Sequence, residues 1–345
     1  MIKARYKKYI LNFKNPSGTS RGILRTKETW FIVLEENGKT GIGETGLFRG
    51  LSIDDVENYE EKLKWVVKNI SKGLEYLLKE LFQFPSIQFG LEQAFLSLKS
   101  NSSFVLFPSE FTNKKESIPI NGLVWMGDKE FMKTQIKEKL VAGFSTIKMK
   151  IGAIDFKTEI ELLKSIRKEF SAKEITLRVD ANGGFSSSEA LEKLKVLSAL
   201  EIHSIEQPIK QGQWQEMANL CEKTPLPIAL DEELIGVFSS EEKEKCISTI
   251  KPQYIILKPS LIGGFTGSKE WISIANKHKA GNWITSALES NIGLNAIAQF
   301  THTLQNSLPQ GLGTGGLFTN NFDSPLQVKN GTLHYNLSKK WNFKI

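Results

Sequence analysis

Five short segments of this chain have the composition of β-strands, and each of them ends in a charged residue. The charged residues are Lys150, Asp180, Glu206, Asp231 and Lys258, and successive members are 25 to 30 residues apart. An interval of about 25–30 residues accommodates one strand and one crossover helix, the unit that joins parallel strands. The spacing therefore predicts an α/β fold in which the five side chains lie at equivalent ends of successive parallel strands.

The residues that precede these charges support the arrangement, because side chains on a strand point alternately to opposite faces. If Asp180 points inward, Arg178 also points inward and Val179 faces the surrounding helices. The same alternation places an apolar residue outward in the other segments and puts Lys148 on the face of Lys150. Charges aimed into a packed interior are costly unless they are paired or bind a metal ion. A salt-bridge network that only stabilises the scaffold is the alternative explanation.

Three of the charged residues predict a metal site. Asp180, Glu206 and Asp231 offer only oxygen ligands, which favour a hard cation, Mg²⁺ before Mn²⁺. No Cys or His stands at these strand ends to favour zinc. Glu232 follows Asp231 directly, so either residue could be the third ligand, and the alignment of strand ends favours Asp231.

The order of the predicted elements divides the chain into three parts. Residues 117–318 alternate strand and helix with eight strand signals, which predicts a (β/α)8-type barrel, that is, a modified TIM barrel. Residues 1–110 read as a meander of strands followed by helices, an α+β domain that we expect to cap the barrel. Residues 319–345 contain a hairpin signal and are expected to pack on this capping domain and complete it.

Several individual elements are also predicted. A turn-rich loop is expected over 15–22, a helix over 54–70 and a linker over 101–116. In the barrel, 118–125 is predicted to be the first strand and 310–313 a weak eighth strand. No Gly-x-Gly-x-x-Gly motif opens a helix, which argues against a dinucleotide-binding fold.

Composition narrows the classes of partner. Lys and Arg number 45 against 38 Asp and Glu, a net charge of +7. The lysines are scattered, so we expect no nucleic-acid partner, and the charge mildly favours a small anionic carboxylate as substrate. Cys221 and Cys246 are too few for a disulfide framework. We find neither a signal peptide nor an apolar run near the ~20 residues of a membrane span, so we expect a cytoplasmic monomer or small homo-oligomer without a membrane partner.

The ordered motifs resemble a known family. Lys-x-Lys at 148–150, Asp-x-Asn at 180–182, Glu-Gln-Pro at 206–208, Asp-Glu at 231–232 and Lys-Pro at 258–259 are similar to the muconate-lactonizing subgroup of the enolase superfamily. Within that subgroup, residues 286–293 and 311–318 resemble the o-succinylbenzoate synthases. The likeness extends over nearly the whole chain, because 41–44 and 85–98 resemble the capping domain of the family.

The resemblance implies a role for each site residue. Asp180, Glu206 and Asp231 would hold Mg²⁺, Lys150 would act as base and then acid, and Lys258 would stabilise the enolate from the opposite face. Lys148 would make Lys150 a better base by like-charge proximity. The remaining implied residues share a role as substrate contacts, and they are Arg178, Ser286, Glu289, Ser290, Gly313 and Thr314.

The implied reaction is the Mg²⁺-dependent syn-dehydration of 2-succinyl-6-hydroxy-2,4-cyclohexadiene-1-carboxylate to o-succinylbenzoate in menaquinone biosynthesis, through an enediolate. The enzyme would thus be a carbon–oxygen lyase. A racemase or epimerase of N-succinyl amino acids or dipeptides is an alternative that would use Lys150 and Lys258 as opposed acid and base. Residues 311–316 contain no acid that could hold a substrate amino group, which disfavours a dipeptide substrate. A non-catalytic, metal-stabilised binding barrel is the alternative from another class.

Overall fold

The computed structural model describes residues 1–19, 22–125, 128–152 and 155–345. Its amino-terminal part is an antiparallel sheet in the order β1-β2-β3. The strands are β1 (Lys3–Thr19), β2 (Gly22–Glu36) and β3 (Lys39–Glu44). Asn37 and Gly38 connect β2 to β3, and both have positive φ, the conformation that an Asn-Gly hairpin turn requires.

The first two strands extend into the segment that the sequence predicts to be a turn-rich loop. Most of the loop expected over 15–22 belongs to the sheet instead, since Ser17 pairs with Leu24 and Thr19 with Gly22. The register shifts between Asn12 and Ser17, and Pro16 lies within this shift. Proline has no N–H to donate to a ladder and is tolerated at such bulges, so the turn-prone composition marks an irregularity within the strand.

Three helices cover the capping sheet: α1 (Tyr59–Asn69), α2 (Leu74–Glu80) and α3 (Pro85–Lys99). The helix predicted from residue 54 begins only at Tyr59. The carboxylate of Asp54 accepts hydrogen bonds from the N–H and hydroxyl of Ser86 at 2.9 and 2.6 Å, and this anchors the preceding loop to α3. A Cβ at Gly43 would lie 1.9 Å from the carbonyl oxygen of Gly90, so glycine in β3 lets the strand pack directly on α3.

A second sheet contains seven parallel strands in sequence order and curls into a barrel. A short strand, β4 (Ile118–Pro119), precedes it. The barrel strands are β5 (Gly122–Val124), β6 (Thr146–Lys150), β7 (Thr176–Asp180), β8 (Ser204–Glu206), β9 (Ile228–Leu230), β10 (Tyr254–Leu257) and β11 (Gly281–Ile284).

Helices alternate with these strands and bury one apolar face against them. They are α4 (Lys129–Val141), α5 (Phe156–Glu169), α6 (Ser187–Ser198), α7 (Trp214–Lys223), α8 (Ser240–Ile250), α9 (Gly264–Lys277) and α10 (Asn291–Thr303). Local signals start several of them: Ser239 and Glu242 form a capping box on α8. Within the described ranges, no helix combines the length and apolarity needed to cross a membrane.

The barrel closes differently from the prediction. The strand expected over 118–125 is divided, because β4 leaves the barrel and only β5 pairs with β6. The expected eighth strand consists of two isolated parallel bridges, Ile120 to Gln310 and Thr285 to Gly311. These bridges join the two open edges of the seven-stranded sheet. The expected fold class, a modified TIM barrel with an amino-terminal α+β domain, is confirmed.

The carboxyl-terminal segment contacts both domains. Strands β12 (Leu326–Lys329) and β13 (Thr332–Tyr335) form a hairpin, and β13 pairs with β4. Phe322, Trp341 and Phe343 pack with Phe31 and Ile42 of the capping sheet. The tail therefore adds apolar area to the face of that sheet that also packs against Ile292 of α10.

The segment expected to be a linker also packs on the barrel. Phe111 is fully buried, and the backbone N–H groups of Leu106 and Phe107 donate to the side chain of Gln299 on α10 at 2.9 and 3.1 Å. Its Ser- and Asn-rich composition reflects turns that are held against the barrel.

Candidate active site

The five charged residues lie at the carboxyl ends of five consecutive barrel strands. Lys150, Asp180 and Glu206 are the last residues of β6, β7 and β8, and the register pairs Lys150 with Asp180 and Asp180 with Glu206. Asp231 and Lys258 directly follow β9 and β10. Backbone pairing alone therefore brings the five side chains to one mouth of the barrel, where the catalytic residues of such folds collect.

Two lysines bind the carboxylates on one side of this mouth. The ammonium of Lys148 lies 3.0 Å from Asp180 Oδ2 and 2.5 Å from Glu206 Oε2. The ammonium of Lys150 lies 3.1 Å from Asp180 Oδ2 and donates to Asn182 Oδ1 at 2.6 Å. Lys148 is only 7% exposed, so its charge is shared between two buried carboxylates and serves them as a counter-charge.

The third lysine lies on the facing wall. The ammonium of Lys258 is 2.5 Å from Asp231 Oδ2. Strands β7, β8 and β9 separate its strand from that of Lys150, which places the two ammonium groups across the mouth from each other. A substrate between them would present opposite faces to the two lysines.

Asp180, Glu206 and Asp231 form a compact buried triad whose offered oxygens all lie within 4.8 Å of one another. Glu206 Oε1 is buried and has no hydrogen-bond partner among the described residues. A buried polar atom without a partner is costly, and a cation bound between the three carboxylates would satisfy it. The all-oxygen donor set fits a hard divalent ion.

The pKa values of the triad reflect mutual repulsion and the surrounding lysines. Burial and the charges of Asp180 and Asp231 raise the pKa of Glu206 to about 8, against the opposing effect of Lys148. Burial also raises the pKa of Asp231. Asp180 behaves differently: burial acts to raise its pKa, but three lysines outweigh this and hold it well below the ordinary range. Buried carboxylates that repel one another are stabilised when a cation binds between them.

The structure distinguishes Asp231 from its neighbour Glu232. Asp231 belongs to the triad, whereas Glu232 begins a 3-10 turn over Glu232–Leu234 and accepts a hydrogen bond from Asn182 Nδ2 at 3.0 Å. Asn182 has a φ of 44°, a left-handed conformation that Asn tolerates better than most residues. Asn182 thereby links Lys150 on one side to Glu232 on the other.

A cavity opens above the triad between the barrel mouth and the capping domain. Its polar side contains Lys148, Lys150, Asp180, Asn182, Glu232 and Lys258, and its apolar side includes Phe48, Leu51, Trp125 and Leu317. Phe48 and Leu51 come from the loop that follows β3. The capping domain therefore adds apolar side chains to a cavity that also contains the charged residues, a combination suited to a small carboxylate with an apolar part.

Comparison with known proteins identifies the family. Residues 132–338, more than half of the chain, match the family described as Enolase C-terminal domain-like. The chain belongs to this family. The resemblance inferred from the strand-end motifs is confirmed, and the chain is an enzyme of the enolase superfamily, whose members use a divalent metal ion.

Similarity to individual members extends beyond the barrel. The chain is 45% identical to o-succinylbenzoate synthase of Desulfotalea psychrophila, in an alignment that covers 95% of this chain and 97% of the relative. The crystal structure of MenC from the same organism has a TM-score of 0.87 and 42% identity, and covers 96% of this chain and 99% of that one. L-Ala-D/L-Glu epimerase of Bacillus subtilis is 25% identical over 97% of this chain and 92% of the relative.

Three of the expected substrate contacts line the cavity. Ser286, Gly313 and Thr314 are on its wall, and the hydroxyls of Ser286 and Thr314 are 2.6 Å apart. They come from the segments after β11 and after the closing bridges. These segments provide small polar groups beside Lys258.

Arg178, by contrast, does not line the cavity of this enolase-type barrel. It precedes Asp180 by two residues, so it shares the inward face one pleat deeper, roughly 7 Å along the strand. Its guanidinium stacks over the ring of Trp283 at 4.0 Å and donates to the carbonyl oxygen of Pro309 at 2.8 Å. Burial lowers the pKa of Arg178 to about 10, although Glu206 opposes the shift. Arg178 supports the barrel floor below the mouth.

Glu289 and Ser290 also do not line the cavity. Both are completely buried. Glu289 accepts a hydrogen bond from the hydroxyl of Ser260, and Ser290 donates to Glu44 of the capping domain. The motif that contains them lies next to the cavity, which Ser286 and Ala287 line, but Glu289 points toward Gly46 of the capping domain. The expectation that Arg178, Glu289 and Ser290 contact substrate is therefore not supported by their positions.

Sequence reasoning missed Gln207 as a supporting residue. Its side-chain oxygen accepts from the N–H groups of Asp231 and Glu233 at 3.1 and 3.2 Å, and its amide donates to Glu233 at 2.9 Å. Gln207 therefore orients the backbone that carries the third carboxylate. The Glu-Gln-Pro motif contained the signal, because a buried amide beside a metal ligand requires partners of its own.

Proposed function

We propose that this enzyme dehydrates 2-succinyl-6-hydroxy-2,4-cyclohexadiene-1-carboxylate to o-succinylbenzoate, a step of menaquinone biosynthesis. The observation that carries the proposal is the 45% identity to an o-succinylbenzoate synthase over 95% of the chain. The cavity supports it, because its lining combines Lys150, Lys258 and Asp180 of the triad with apolar side chains. The substrate is a small dicarboxylate, and the reaction is compatible with a location in the cytoplasm.

The triad is assigned to Mg²⁺, with Mn²⁺ as a substitute. Asp180, Glu206 and Asp231 would hold the ion, since their oxygens lie within 4.8 Å of one another and one is without a partner. When bound, the divalent cation supplies positive charge beside the substrate carboxylate and so makes the adjacent carbon more acidic.

Lys150 is assigned the proton transfers. As the neutral amine, its Nζ removes the proton from the carbon next to the carboxylate and becomes an ammonium, and the electron pair of that C–H bond moves into the carboxylate as an enediolate. The hydroxyl on the neighbouring carbon then leaves, taking the same proton from Lys150 to form water as the ring becomes aromatic. One residue can perform both transfers only if the proton and the hydroxyl lie on the same face, which is a syn elimination.

Lys258 is assigned to the opposite face as a fixed positive charge. Burial lowers the pKa of this lysine, but Asp231 and Glu232 outweigh burial and the net pKa is raised. A lysine that keeps its proton can stabilise negative charge on the enediolate without exchanging a proton.

Asn182 positions Lys150. Its side-chain oxygen accepts a hydrogen bond from Lys150 Nζ at 2.6 Å, which orients the end of that lysine toward the cavity.

An epimerase activity is the second candidate, because Lys150 and Lys258 face each other and a curated relative at 25% identity is an epimerase. Against an amino-bearing substrate, the closing segment contributes Gly311, Gly313 and Thr314 to the cavity, and 311–316 contain no carboxylate to bind an ammonium group.

The decisive assay supplies Mg²⁺ and the cyclohexadiene carboxylate, beside a panel of N-succinyl amino acids and dipeptides. We expect efficient formation of the aromatic product and weak or no turnover of dipeptides. Turnover of an N-succinyl amino acid or dipeptide with a higher kcat/KM than the cyclohexadiene would overturn the assignment.

A further inference from the structure

Glu289 is fully buried beside the cavity and connects two of the loops that form it. Its Oε1 accepts from the hydroxyl of Ser260 at 2.6 Å, and its Oε2 accepts from the N–H of Ala287 at 2.8 Å. Ser260 belongs to the 3-10 turn Pro259–Leu261 that follows Lys258. Ala287 belongs to the cavity wall itself. One carboxylate thus joins the loop after β10 to the loop after β11.

The loop after β11 needs such support. Leu288, which also lines the cavity, has a φ of 62°. A bulky residue in the left-handed region is strained and persists only where its surroundings hold it. The hydrogen bond from the N–H of Ala287 to Glu289 spans this residue and helps to hold its conformation.

The capping domain meets the same carboxylate from the other side. A Cβ at Gly46 would lie 2.9 Å from Ser260 Cβ and 3.3 Å from Glu289 Cγ, and the φ of Gly46 is 69°. No larger residue would allow this approach. Gly46 opens the loop that carries Phe48 and Leu51 into the cavity, so the apolar wall begins in contact with Glu289.

Lys27 of β2 provides the countercharge. It is 6% exposed, and its ammonium donates to the carbonyl oxygen of Gly46 at 3.5 Å. Burial lowers the pKa of Lys27, while the charges of Glu289 and Glu44 act in the opposite direction. The amine of Lys27 from the capping domain and the carboxyl of Glu289 from the barrel are therefore both buried next to Gly46, at the base of the cavity loop.

Glu44, the last residue of β3, extends this connection to α10. It accepts from Thr29 of the capping sheet at 2.9 Å, from the N–H and hydroxyl of Ser290 at 2.9 and 2.6 Å, and from the N–H of Gly293 at 2.9 Å. A carboxylate on the first N–H groups of a helix is favourable. The contact between the two domains thus contains three buried ionisable side chains, Lys27, Glu44 and Glu289.

We infer, on the basis of the proposed function, that Glu289 is a positioning residue: with Lys27 it holds the 286–288 wall and the 46–51 loop in register around the substrate. Glu289 does not itself line the cavity and belongs to no part of the triad, so its effect on the reaction is indirect. Displacement of a bound substrate by about 1 Å can cost on the order of 10²-fold in rate, which is why a buried contact of this kind matters to turnover.

The test compares Glu289→Gln with a matched control, Glu92→Gln. Glu92 is another buried carboxylate between the domains, which accepts from the N–H groups of Phe265 and Thr266 at the start of α9. It is not among the described residues that line the cavity. Both substitutions preserve shape and remove one buried charge, so they disturb the interface similarly but at different distances from the site.

For Glu289→Gln we expect kcat/KM to fall by roughly 10- to 100-fold, mainly through kcat, with the Mg²⁺ concentration for half-maximal activity unchanged. Glu92→Gln should lower the melting temperature without changing either kinetic constant. Lys27→Met should reproduce the kinetic defect, and combining it with Glu289→Gln should add little, because the two charges act as one unit. The inference is overturned if Glu289→Gln has wild-type kinetics, or if Glu92→Gln shows the same defect.

A measurement without substrate separates this inference from the proposed function. Hydrogen–deuterium exchange of peptides covering 284–291 and 46–52 should accelerate in Glu289→Gln and stay at the wild-type rate in Glu92→Gln. If the wild-type enzyme fails to turn over the cyclohexadiene carboxylate, the proposed function falls while the exchange data still decide the role of Glu289. Unchanged exchange in both peptides rejects the positioning role whatever the substrate.

Discussion

Replacing each of the two facing lysines by arginine separates a one-base dehydratase from a two-base racemase. Lys150 and Lys258 are well matched, because each side chain is 13% exposed and each ammonium lies within 3.1 Å of a buried carboxylate. Arginine keeps the positive charge, but its pKa above 12 prevents it from exchanging protons. Lys258→Arg therefore preserves a charge, whereas Lys150→Arg removes the proposed base.

The magnitude follows from the burial of the pairs. Lys258→Ala leaves Asp231, whose side chain is 1% exposed, without its cation. Breaking a buried pair in this way costs roughly 3–5 kcal/mol, which corresponds to about 10²- to 10⁴-fold in kcat if it falls entirely on the transition state. Lys258→Arg should lose less than this. Lys150→Arg should lose at least ~10⁴-fold, since two proton transfers that are each worth about 10²–10⁴-fold depend on it.

The assay follows formation of the aromatic product by ultraviolet absorbance at saturating Mg²⁺, with circular dichroism as the control for folding. Deuterium incorporation into unreacted precursor in D₂O reports which lysine exchanges the proton. Equal loss of activity in both arginine variants would favour the two-base mechanism. Exchange that survives in Lys150→Arg but disappears in Lys258→Arg would mean that the base lies on the other face and would refute the assignment.

Three further changes test the metal, the capping loop and a buried carboxyl. Glu206→Gln should abolish Mg²⁺-dependent turnover with the fold intact, as measured by Mg²⁺ titration and circular dichroism. Arg49→Ala should raise KM with little change in the free energy of unfolding, because the pairs of Arg49 with Glu28 and Asp55 hold the cavity loop but lie at the surface. Burial raises the pKa of Asp54 to about 7 in the folded protein. Because the folded state holds this proton more tightly than the unfolded state, Asp54 contributes most to the free energy of unfolding below pH ~4. This contribution, on the order of 4 kcal/mol, is lost as the pH rises to about 7. Asp54→Asn should remove this slope in denaturant unfolding measured across that range.

Each of these expectations has a contrary outcome. Full activity in EDTA or in Glu206→Gln would reject the metal site. Unchanged KM in Arg49→Ala would show that the loop does not need this brace. A wild-type protein whose stability follows the same pH dependence as Asp54→Asn would show that Asp54 is already ionised at low pH in the folded state.

Much of the fold was predictable because its signals are local or periodic. The 25- to 30-residue spacing of charged strand ends and the apolar residues between them specify parallel strands with covering helices. Lys150, Asp180 and Glu206 then meet because parallel pairing transmits register directly from strand to strand. The predictions were least accurate in chain segments without periodicity. For example, α1 starts only at Tyr59 because Asp54 binds Ser86, thirty-two residues away, and so belongs to the preceding loop.

By itself the sequence determined the barrel, the carboxylates Asp180 and Glu206 and the facing lysines, because strand alternation and spacing encode them in short stretches. Only the tertiary structure decided which acidic residue joins the triad and in which direction the side chain of Glu289 points. Asp231 and Glu232 are adjacent in sequence and separate only when the chain turns after β9. Glu289 lies one residue beyond the cavity wall but faces Lys27, more than 250 positions earlier. A contact between two domains depends on how they pack, and no local pattern of residues records that geometry.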